Sequence, residues 1–367
     1  MIPLTRPNLP DLSSIHKKME EMFRSGMITE FKFTREFEDR CARFLGVKHV
    51  VAVNSGTSAL LLTLKCMDLK GEVILPSFTF TSGGHTLLWN NLKPVFVDVD
   101  PGTFNVDPDV IEKKITKKTS AIMPTHVFGN PCDIRAIGRI AKKHKLKVIY
   151  DAAHAFGARY NKKSVAQFGD AAIYSLTPTK LLTTAEGGLI ATNNRQLAHK
   201  LQLAKHNGDS FNRNEEFLGL SARMSEPSAI LGIEGLKILR TAIKERRAKV
   251  ARYKEELASV AGISFQEVLP NAFSVYKDLA IVIDKKKFGA SRDQLLAELK
   301  KNNIQTKAYF DPPLHQKKVY VKYKNVPLPE TNRLARAILD VPLYSHMPNS
   351  EIMHVCRVIK NLYKKNV

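Results

Sequence analysis

Cysteine, tryptophan and long apolar runs are scarce in this chain of 367 residues. Its four cysteines stand far apart, with no C-x-x-C pair and no histidine at the spacing of a metal ligand. We therefore expect reduced, mostly buried thiols, and neither a disulfide framework nor a metal site. No run approaches the ~18 apolar residues that span a bilayer, and the first residues lack the apolar core of a signal peptide. These absences predict a cytoplasmic protein without a membrane segment.

Acidic residues are also few relative to basic ones. The chain has 35 Asp and Glu and 57 Lys and Arg, which gives a formal net charge of +22. Such an excess fits nucleic acid, an acidic membrane surface or a small anionic substrate. The lysine pairs, however, recur along the chain, from residues 113–114 to residues 364–365, instead of concentrating on one element. No helix-turn-helix, zinc-finger or RNA-binding pattern accompanies them. The charge therefore predicts solvated helix faces and no nucleic-acid partner.

Short apolar runs alternate with amphipathic stretches from residue 47 onward, which is typical of βαβ units that build a mostly parallel sheet. Strands are predicted at 49–53, 72–75, 94–99, 120–124, 147–151, 171–175 and 188–192, and helices at 59–67, 108–115 and 131–144. This pattern predicts an α/β fold with a seven-stranded sheet in a large domain over residues 1–235. A long helix at 226–257, a strand at 279–283 and helices at 291–301 and 350–363 predict a smaller C-terminal α+β domain over residues 236–367.

A turn of serine, glycine, threonine and serine at 55–58 follows the first predicted strand and opens a helix. Gly56 permits close approach of a ligand, while Thr57 and Ser58 supply hydroxyls beside the amides of the helix N-terminus. Such a turn binds phosphate through its amides and through the helix dipole. The same residues equally fit plain N-capping, and the chain has neither a Walker loop nor a G-x-G-x-x-G pattern.

Asp151 ends the fifth predicted strand, at the position where open α/β sheets bind their ligands. A carboxylate there can keep a pyridine nitrogen protonated, which makes the ring an acceptor for the electrons of a carbanion. His154, three residues on, is placed to touch the same ring. The alternatives are an aspartate that caps the next helix and a histidine packed beneath the sheet.

Lys180 stands in a turn that follows the predicted strand at 171–175 and precedes a Gly-Gly pair. A lysine that forms a Schiff base with a cofactor needs a fixed pocket and a partly neutral amine, and a strand end supplies the geometry. Ser175 offers a hydroxyl to a phosphate, and Phe80 offers a ring that can stack on a flat cofactor. Taken singly, Lys180 also fits a solvated surface lysine, and Phe80 an ordinary core phenylalanine.

In this order the segments resemble the DegT/DnrJ/EryC1/StrS sugar aminotransferases, within the fold type I pyridoxal-phosphate enzymes. The resemblance is carried by residues 46–60, 94–100 and 126–131, by the lysine segment, and by later landmarks at 223–226 and 309–315. It covers nearly the whole chain, and six motifs in one order are far more specific than any one of them. It implies an aspartate aminotransferase-like fold, a pyridoxal 5'-phosphate cofactor, and a homodimer with active sites at the subunit interface.

The resemblance also implies a role for individual residues. Lys180 would carry the cofactor and Asp151 would hold its pyridine nitrogen, with Phe80 stacked on the ring and His154 beside the phenolic oxygen. Residues implied to hold the phosphate are Gly56, Thr57, Ser58 and Ser175, and residues implied to contact the substrate are Tyr309 and His315.

One position departs from the family pattern. Ser221 stands where the family usually has an asparagine that reaches the phosphate of the neighbouring subunit. The sequence therefore leaves open whether Ser221 replaces that contact between subunits.

The implied reaction moves an amino group from L-glutamate, through the pyridoxamine form of the cofactor, to a keto sugar carried on a nucleoside diphosphate. Lys180 would shuttle the proton, because a nearby pyridinium lowers its pKa towards the neutral amine. The expected acceptor is a 4-keto-6-deoxyhexose on dTDP or UDP, aminated at C4 or C3. Two rivals stay open: a sugar dehydratase of the same family, whose deoxygenating members have histidine in place of this lysine, and a non-catalytic regulatory protein on the same scaffold.

Overall fold

Helices and strands alternate along most of the chain, of which the computed structural model describes residues 1–209, 214–323 and 327–366. In these ranges the α-helices are Leu12–Ser25 (α1), Lys32–Leu45 (α2), Gly56–Cys66 (α3), Thr81–Trp89 (α4), Pro108–Lys113 (α5), Ile134–His144 (α6), Arg195–Ala204 (α7), Glu226–Leu257 (α8), Lys285–Phe288 (α9), Arg292–Lys301 (α10), Pro329–Ala337 (α11) and Asn349–Asn366 (α12). The strands are His49–Val53 (β1), Glu72–Pro76 (β2), Lys93–Val97 (β3), Thr119–Ile122 (β4), Lys147–Asp151 (β5), Arg159–Tyr160 (β6), Lys163–Ser164 (β7), Ala171–Ser175 (β8), Gly188–Thr192 (β9), Ile263–Phe265 (β10), Ala272–Phe273 (β11), Leu279–Ile283 (β12) and Ile338–Val341 (β13). The predicted α/β fold is confirmed.

Several predicted elements have the observed bounds, among them β1, β5, β8, β9 and α8. The helix predicted at 131–144 begins only at Ile134, because Asp133 caps it and accepts a hydrogen bond from the Ala136 amide at 3.0 Å. The sequence pattern does not predict α1, α2, α4 or α7. For α4 the reason is local, since Gly83 and Gly84 are poor helix formers.

A seven-stranded sheet dominates the fold and has the strand order β1-β9-β8-β5-β4-β2-β3. β9 is antiparallel to both of its neighbours, whereas the other pairs are parallel, so the predicted mostly parallel sheet is confirmed. The carboxyl ends of β2, β5 and β8 therefore open onto the same edge. A parallel bridge between Thr125 and Asp151 continues the pairing of β4 and β5 towards that edge.

Both faces of this sheet are covered by helices, which explains why its strands read as continuous apolar runs. On one face α2, α6 and α8 pack against alternate strand residues, among them Tyr150 and Tyr174. On the other face α3, α4 and α7 pack against the intervening residues, among them Ile149 and Ile173. Each large apolar side chain buried in this way stabilises the fold by about 1.5–3 kcal/mol. The sheet is therefore a rigid support for the groups at its edge.

A smaller sheet with the order β10-β12-β13 lies in the C-terminal part of the chain. Its core includes α8 residues from Val250 onward, whereas α8 residues up to Ile243 belong to the core of the large sheet. A further hydrophobic cluster, which includes Phe78 and Phe310, contains residues from both the large-sheet part and the C-terminal part of the chain. Because α8 serves both cores, the boundary predicted between residues 1–235 and 236–367 falls within this helix and stays a prediction.

Three observations on the described ranges concern membrane-spanning helices, metal-binding groups and disulfides. There, none of the helices combines the length and the apolar character needed to cross a bilayer. The same ranges hold no group of three His, Cys, Asp or Glu side chains placed to bind a metal ion. The four cysteines are unpaired and buried.

Replacing Gly232, in α8, with alanine tests the close contact between α8 and α2. A Cβ at this position would lie 2.6 Å from the ring of Phe37 and 2.8 Å from Thr184. We expect Gly232→Ala to lower the free energy of unfolding by about 1–3 kcal/mol, because the overpacked atoms must move. Urea denaturation followed by circular dichroism measures the change.

The matched control is Gly138→Ala in α6, where a Cβ would meet no atom within 4 Å. Alanine is the better helix former, so this control should stabilise the protein by about 0.5–1 kcal/mol. Stabilisation of similar size at both positions would contradict the tight packing of α8 on α2.

Candidate active site

The carboxyl edge of the large sheet opens into a cavity of about 410 Å³. Its wall combines residues at the strand ends with residues 277, 307, 309 and 310 from the C-terminal part of the chain. Of the residues predicted from the sequence, the wall contains Gly56, Thr57, Phe80, Asp151, His154, Ser175, Lys180 and Tyr309. The fold thus brings together most of the predicted side chains, although they lie far apart in the sequence.

The N-terminus of α3 forms one part of the wall. Ser55 caps the helix, and its Oγ accepts a hydrogen bond from the Ser58 amide at 3.0 Å. The amides of Gly56 and Thr57, in the first turn, have no acceptor within the helix. A side chain at Gly56 would not fit, because a Cβ there would lie 2.9 Å from the Cβ of Ser175. The free amides, the helix dipole and the Ser175 hydroxyl together form a cradle for an anion.

Asp151, the last residue of β5, presents a buried side chain to the cavity. Its amide donates to the Pro124 carbonyl at 2.9 Å, and its carbonyl accepts from the His126 amide at 3.0 Å, so its backbone is fixed. Its carboxylate accepts a hydrogen bond from the Ala153 amide at 3.1 Å. Burial raises the pKa of Asp151, against the lowering effects of that amide and of Lys180. A cation brought by a ligand would stabilise the charged form.

The His154 ring lies nearly parallel to two phenylalanine rings. Its centroid is 6.3 Å from that of Phe128 and 6.4 Å from that of Phe310, with interplanar angles of 6° and 12°. The Phe128 amide donates to His154 Nδ1 at 3.3 Å. Burial, aided by the charges of Lys180 and Lys277, lowers the pKa of His154 well below its usual value. At pH 7 this ring is therefore neutral and adds a flat, uncharged surface to the cavity wall.

Lys180 lies in the loop between β8 and β9 and lines the cavity with its side chain. The loop turns tightly here, because the Lys180 amide donates to the Thr177 carbonyl at 2.9 Å. Burial lowers the pKa of Lys180 to about 7, and Lys277 adds to this effect while Asp278 and Asp151 oppose it. A large fraction of the amine is therefore neutral at pH 7, as a nucleophile or a base requires.

Two further lysines of the wall, Lys277 and Lys307, are missing from the sequence-based prediction. Lys277 is buried, and its Nζ lies 2.7 and 2.8 Å from the two carboxylate oxygens of Asp278. Lys307 is exposed, and its Nζ lies 4.6 Å from the centre of the Tyr309 ring, with Lys277 Nζ at 5.7 Å from the same point. In a chain with 57 basic residues, no local pattern distinguishes these two.

Two predicted residues, Ser58 and His315, lie outside the cavity wall. Ser58 takes part in the helix cap, with its Oγ 2.9 Å from that of Ser55. His315 is buried, and its Nδ1 lies 2.7 Å from the Oγ of Ser77. Their predicted contacts with a phosphate and a substrate stay predictions. Phe80 does lie in the wall, and 55% of its surface is exposed and open to a ligand.

These residues fit pyridoxal 5'-phosphate by the chemistry of their groups. The amides of α3 and the Ser175 hydroxyl suit its phosphate, and the buried Asp151 carboxylate suits a protonated ring nitrogen. The partly neutral amine of Lys180 suits its aldehyde. A mostly parallel α/β sheet with such a cavity at its carboxyl edge defines the class: a pyridoxal-phosphate enzyme of fold type I.

Comparison with known proteins identifies the family. The chain matches the DegT/DnrJ/EryC1/StrS aminotransferase family over residues 11–360 and belongs to it. It is 34% identical over 363 residues, 98% of each chain, to the dTDP-4-amino-4,6-dideoxy-D-glucose transaminase of Shigella dysenteriae. It is 35% identical over 286 residues, 77% of each chain, to the GDP-perosamine synthase of Caulobacter vibrioides. The crystal structure of DesI in the presence of its TDP-sugar product has a TM-score of 0.94 and 31% identity, covering 99% of this chain and 93% of DesI.

Membership of this family makes the chain a pyridoxal-phosphate-dependent aminotransferase. The predicted fold type, enzyme class and cofactor are thereby confirmed. The role of each residue in the wall stays a prediction, for which the geometry above is the support.

The lowered pKa of Lys180, about 7, predicts an amine that reacts at lower pH than an ordinary lysine. In the cofactor-free protein, acetylation of Lys180 by acetic anhydride should rise through pH 7 and then level off, because only the neutral amine is nucleophilic. In the denatured chain the same residue should keep gaining reactivity up to about pH 10. Peptide mass spectrometry measures both profiles.

The variant Lys277→Gln tests whether the charge of Lys277 contributes to the lowered pKa of Lys180. It removes a positive charge that disfavours the protonated Lys180, so the midpoint of the folded protein should move to higher pH. Profiles that coincide in folded and denatured protein would contradict the lowered pKa.

Proposed function

We propose that the chain, acting in the cytoplasm, transfers an amino group from L-glutamate to a keto sugar carried on a nucleoside diphosphate. The observation that carries this proposal is the meeting of Lys180, Asp151 and the N-terminus of α3 at one cavity. The names of two relatives support the acceptor class, since one is a transaminase of a dTDP-amino sugar and the other was crystallised in the presence of a TDP-sugar. A 4-keto-6-deoxyhexose on dTDP or UDP, aminated at C4 or C3, is the first acceptor to test.

Asp151 and the anion cradle are proposed to hold the cofactor in one orientation. Bound pyridoxal phosphate supplies an electron sink for the carbanion that forms at the reacting carbon. Gly56 and Thr57 hold the phosphate with their amides, and Ser175 holds it with its hydroxyl. Asp151 keeps the ring nitrogen protonated, and the positive charge on that nitrogen offsets the cost of burying the carboxylate.

Lys180 is proposed to carry the cofactor and, once released, to move the proton at the reacting carbon. Its amine must be neutral to accept a proton, and a pKa of about 7 allows this near neutral pH. His154, with its lowered pKa, adds a flat contact beside the ring and no charge. Phe80 and Tyr309, both in the wall, are the proposed contacts for the ring and for the substrate.

We also propose a homodimer with its active sites at the subunit interface. An antiparallel bridge from Thr29 to Ser225 joins the segment before α2 to the segment before α8. Ser221 lies in the second segment and accepts a hydrogen bond from Arg223 at 3.2 Å. Exposed apolar side chains of these segments, typical of an interface, are Met27, Ile28 and Leu218, at 44%, 57% and 76% exposure.

The rival functions account for the cavity less well. A deoxygenating dehydratase of this family has histidine where this chain has Lys180. A regulatory protein on the same scaffold would need neither a neutral lysine nor a buried carboxylate at a phosphate cradle. The aminotransferase is therefore the function that uses the phosphate cradle, the buried carboxylate and the neutral lysine together.

The proposal is tested by incubating the holoenzyme with ¹⁵N-labelled L-glutamate and a panel of keto-sugar nucleotides, with mass spectrometry and NMR of the products. We expect one acceptor to gain labelled nitrogen. Lys180→Ala should lose the visible absorbance of the covalently bound cofactor and slow the transfer by a factor on the order of 1,000 or more. Lys300→Ala, at an exposed position of α10, is the control and should keep both. Wild-type turnover by Lys180→Ala would refute the assignment.

Asp151→Asn separates cofactor binding from chemistry. The amide has nearly the same shape and can still accept the bond from Ala153, but it carries no charge to keep the ring nitrogen protonated. We expect the variant to retain the cofactor by absorbance and to transaminate about 100-fold more slowly or worse. Single-turnover rates with L-glutamate measure the effect, and comparable rates in the two proteins would remove Asp151 from the mechanism.

A further inference from the structure

A second cavity, of about 360 Å³, lies on the face of the large sheet that α8 covers. It shares no wall residue with the active-site cavity. Its wall includes four basic side chains and no acidic one, and the basic ones are Arg159, Arg240, Lys244 and Arg247. The mechanism proposed above uses none of them.

Three of these cations belong to one face of α8. Residues 240, 244 and 247 are four and three positions apart, which places them side by side on a helix. Glu245 is the neighbour of Lys244 in sequence, but one residue turns the helix by about 100°, so its side chain leaves on another side. Further along α8, Arg252 does pair with Glu255 and Glu256. In the described ranges, the four cavity cations have no such carboxylate partner.

Aromatic rings hold the guanidinium groups in place. Arg159 and Phe273 are directly opposite each other on β6 and β11, and Arg159 Cζ lies 5.7 Å from the centre of the Phe273 ring. Arg247 Cζ lies 4.2 Å from the same centre. Arg240 Cζ lies 5.6 Å from the centre of the Phe44 ring. Stacking uses the flat face of a guanidinium and leaves the N–H donors at its edge available for an oxyanion.

The cavity gathers four positive charges that a bound anion would neutralise. Arg159, Arg240 and Lys244 are exposed and Arg247 is half-buried, so an anion can reach all four from solvent. Arg247 is held there by a hydrogen bond from its Nη1 to the Ser274 carbonyl at 2.7 Å, which neutralises no charge.

We propose that this cavity binds a small oxyanion with two or more negative charges, of the diphosphate type. Guanidinium edges bind the oxygens of a phosphate in pairs, and Lys244 adds a point charge. The volume, about 360 Å³, is that of a small-ligand site. Inorganic pyrophosphate and the diphosphate of a nucleotide share this chemistry.

The test is a calorimetric titration of inorganic pyrophosphate into the holoenzyme at constant ionic strength. The site variant is Arg240→Gln/Lys244→Gln. The control variant is Lys300→Gln/Lys301→Gln, which removes the same number of charges from exposed positions of α10. We expect wild type and control to bind pyrophosphate at a site that the site variant loses or binds at least about tenfold more weakly. Thermal unfolding and transaminase turnover of the site variant should match wild type, since both residues lie outside the active site.

Titration of dTDP into the same three proteins distinguishes the two sources of the diphosphate. Weakened binding of both probes by the site variant assigns the cavity to nucleotides as well, whereas weakened binding of pyrophosphate alone restricts it to the inorganic anion. Equal pyrophosphate binding by wild type and site variant, or an equal loss in the control, would overturn the proposal. A crystal of wild-type holoenzyme soaked in pyrophosphate gives an independent answer, because the anion should contact Arg240 and Arg247.

Discussion

Removal of charged groups from water at the edge of the large sheet is the constraint on which the active site depends. Lys180 and Asp151 share one cavity, and burial is the largest cause of the pKa change of each. For both groups burial favours the neutral form. This prepares the lysine for reaction directly, because a neutral amine is the reactive one. For the carboxylate, burial raises the pKa, and a cation brought by a ligand would favour its charged form.

The fold maintains this unfavourable burial by fixing the backbone around it. Asp151 is held by main-chain bonds on both sides, in a sheet whose two faces are covered by apolar helices. Lys277 also lowers the pKa of Lys180, and this effect outweighs the opposing effect of its partner Asp278. Burial, and then Asp278, raise the pKa of Asp340 well above its usual value. Both effects favour the neutral form of Asp340, so they oppose a further negative charge beside Lys277.

Much of the fold and part of the site could be predicted from the sequence, because each strand and the residue after it form one continuous segment. Asp151 ends its own strand, Gly56 and Lys180 follow theirs, and in a parallel sheet such ends must meet at one edge. Residues such as Lys277 come from a distant part of the chain, and only tertiary packing brings them to the wall. His315 shows the opposite case, since it belongs to a recognisable motif but its ring bonds to Ser77 outside the wall.

The distinction between features of one segment and features that tertiary packing assembles also applies to the excess of positive charge. At physiological ionic strength charges more than about 8 Å apart are largely screened, so lysine pairs scattered over the surface act one by one. Cations act together only where the fold gathers them into one cavity. The spacing of Arg240, Lys244 and Arg247 on α8 is visible in the sequence, but the fourth cation, Arg159, and its ring partner Phe273 join them through the pairing of β6 with β11. The net charge therefore indicates only that the protein attracts anions. The tertiary fold determines where two or more negative charges can be bound.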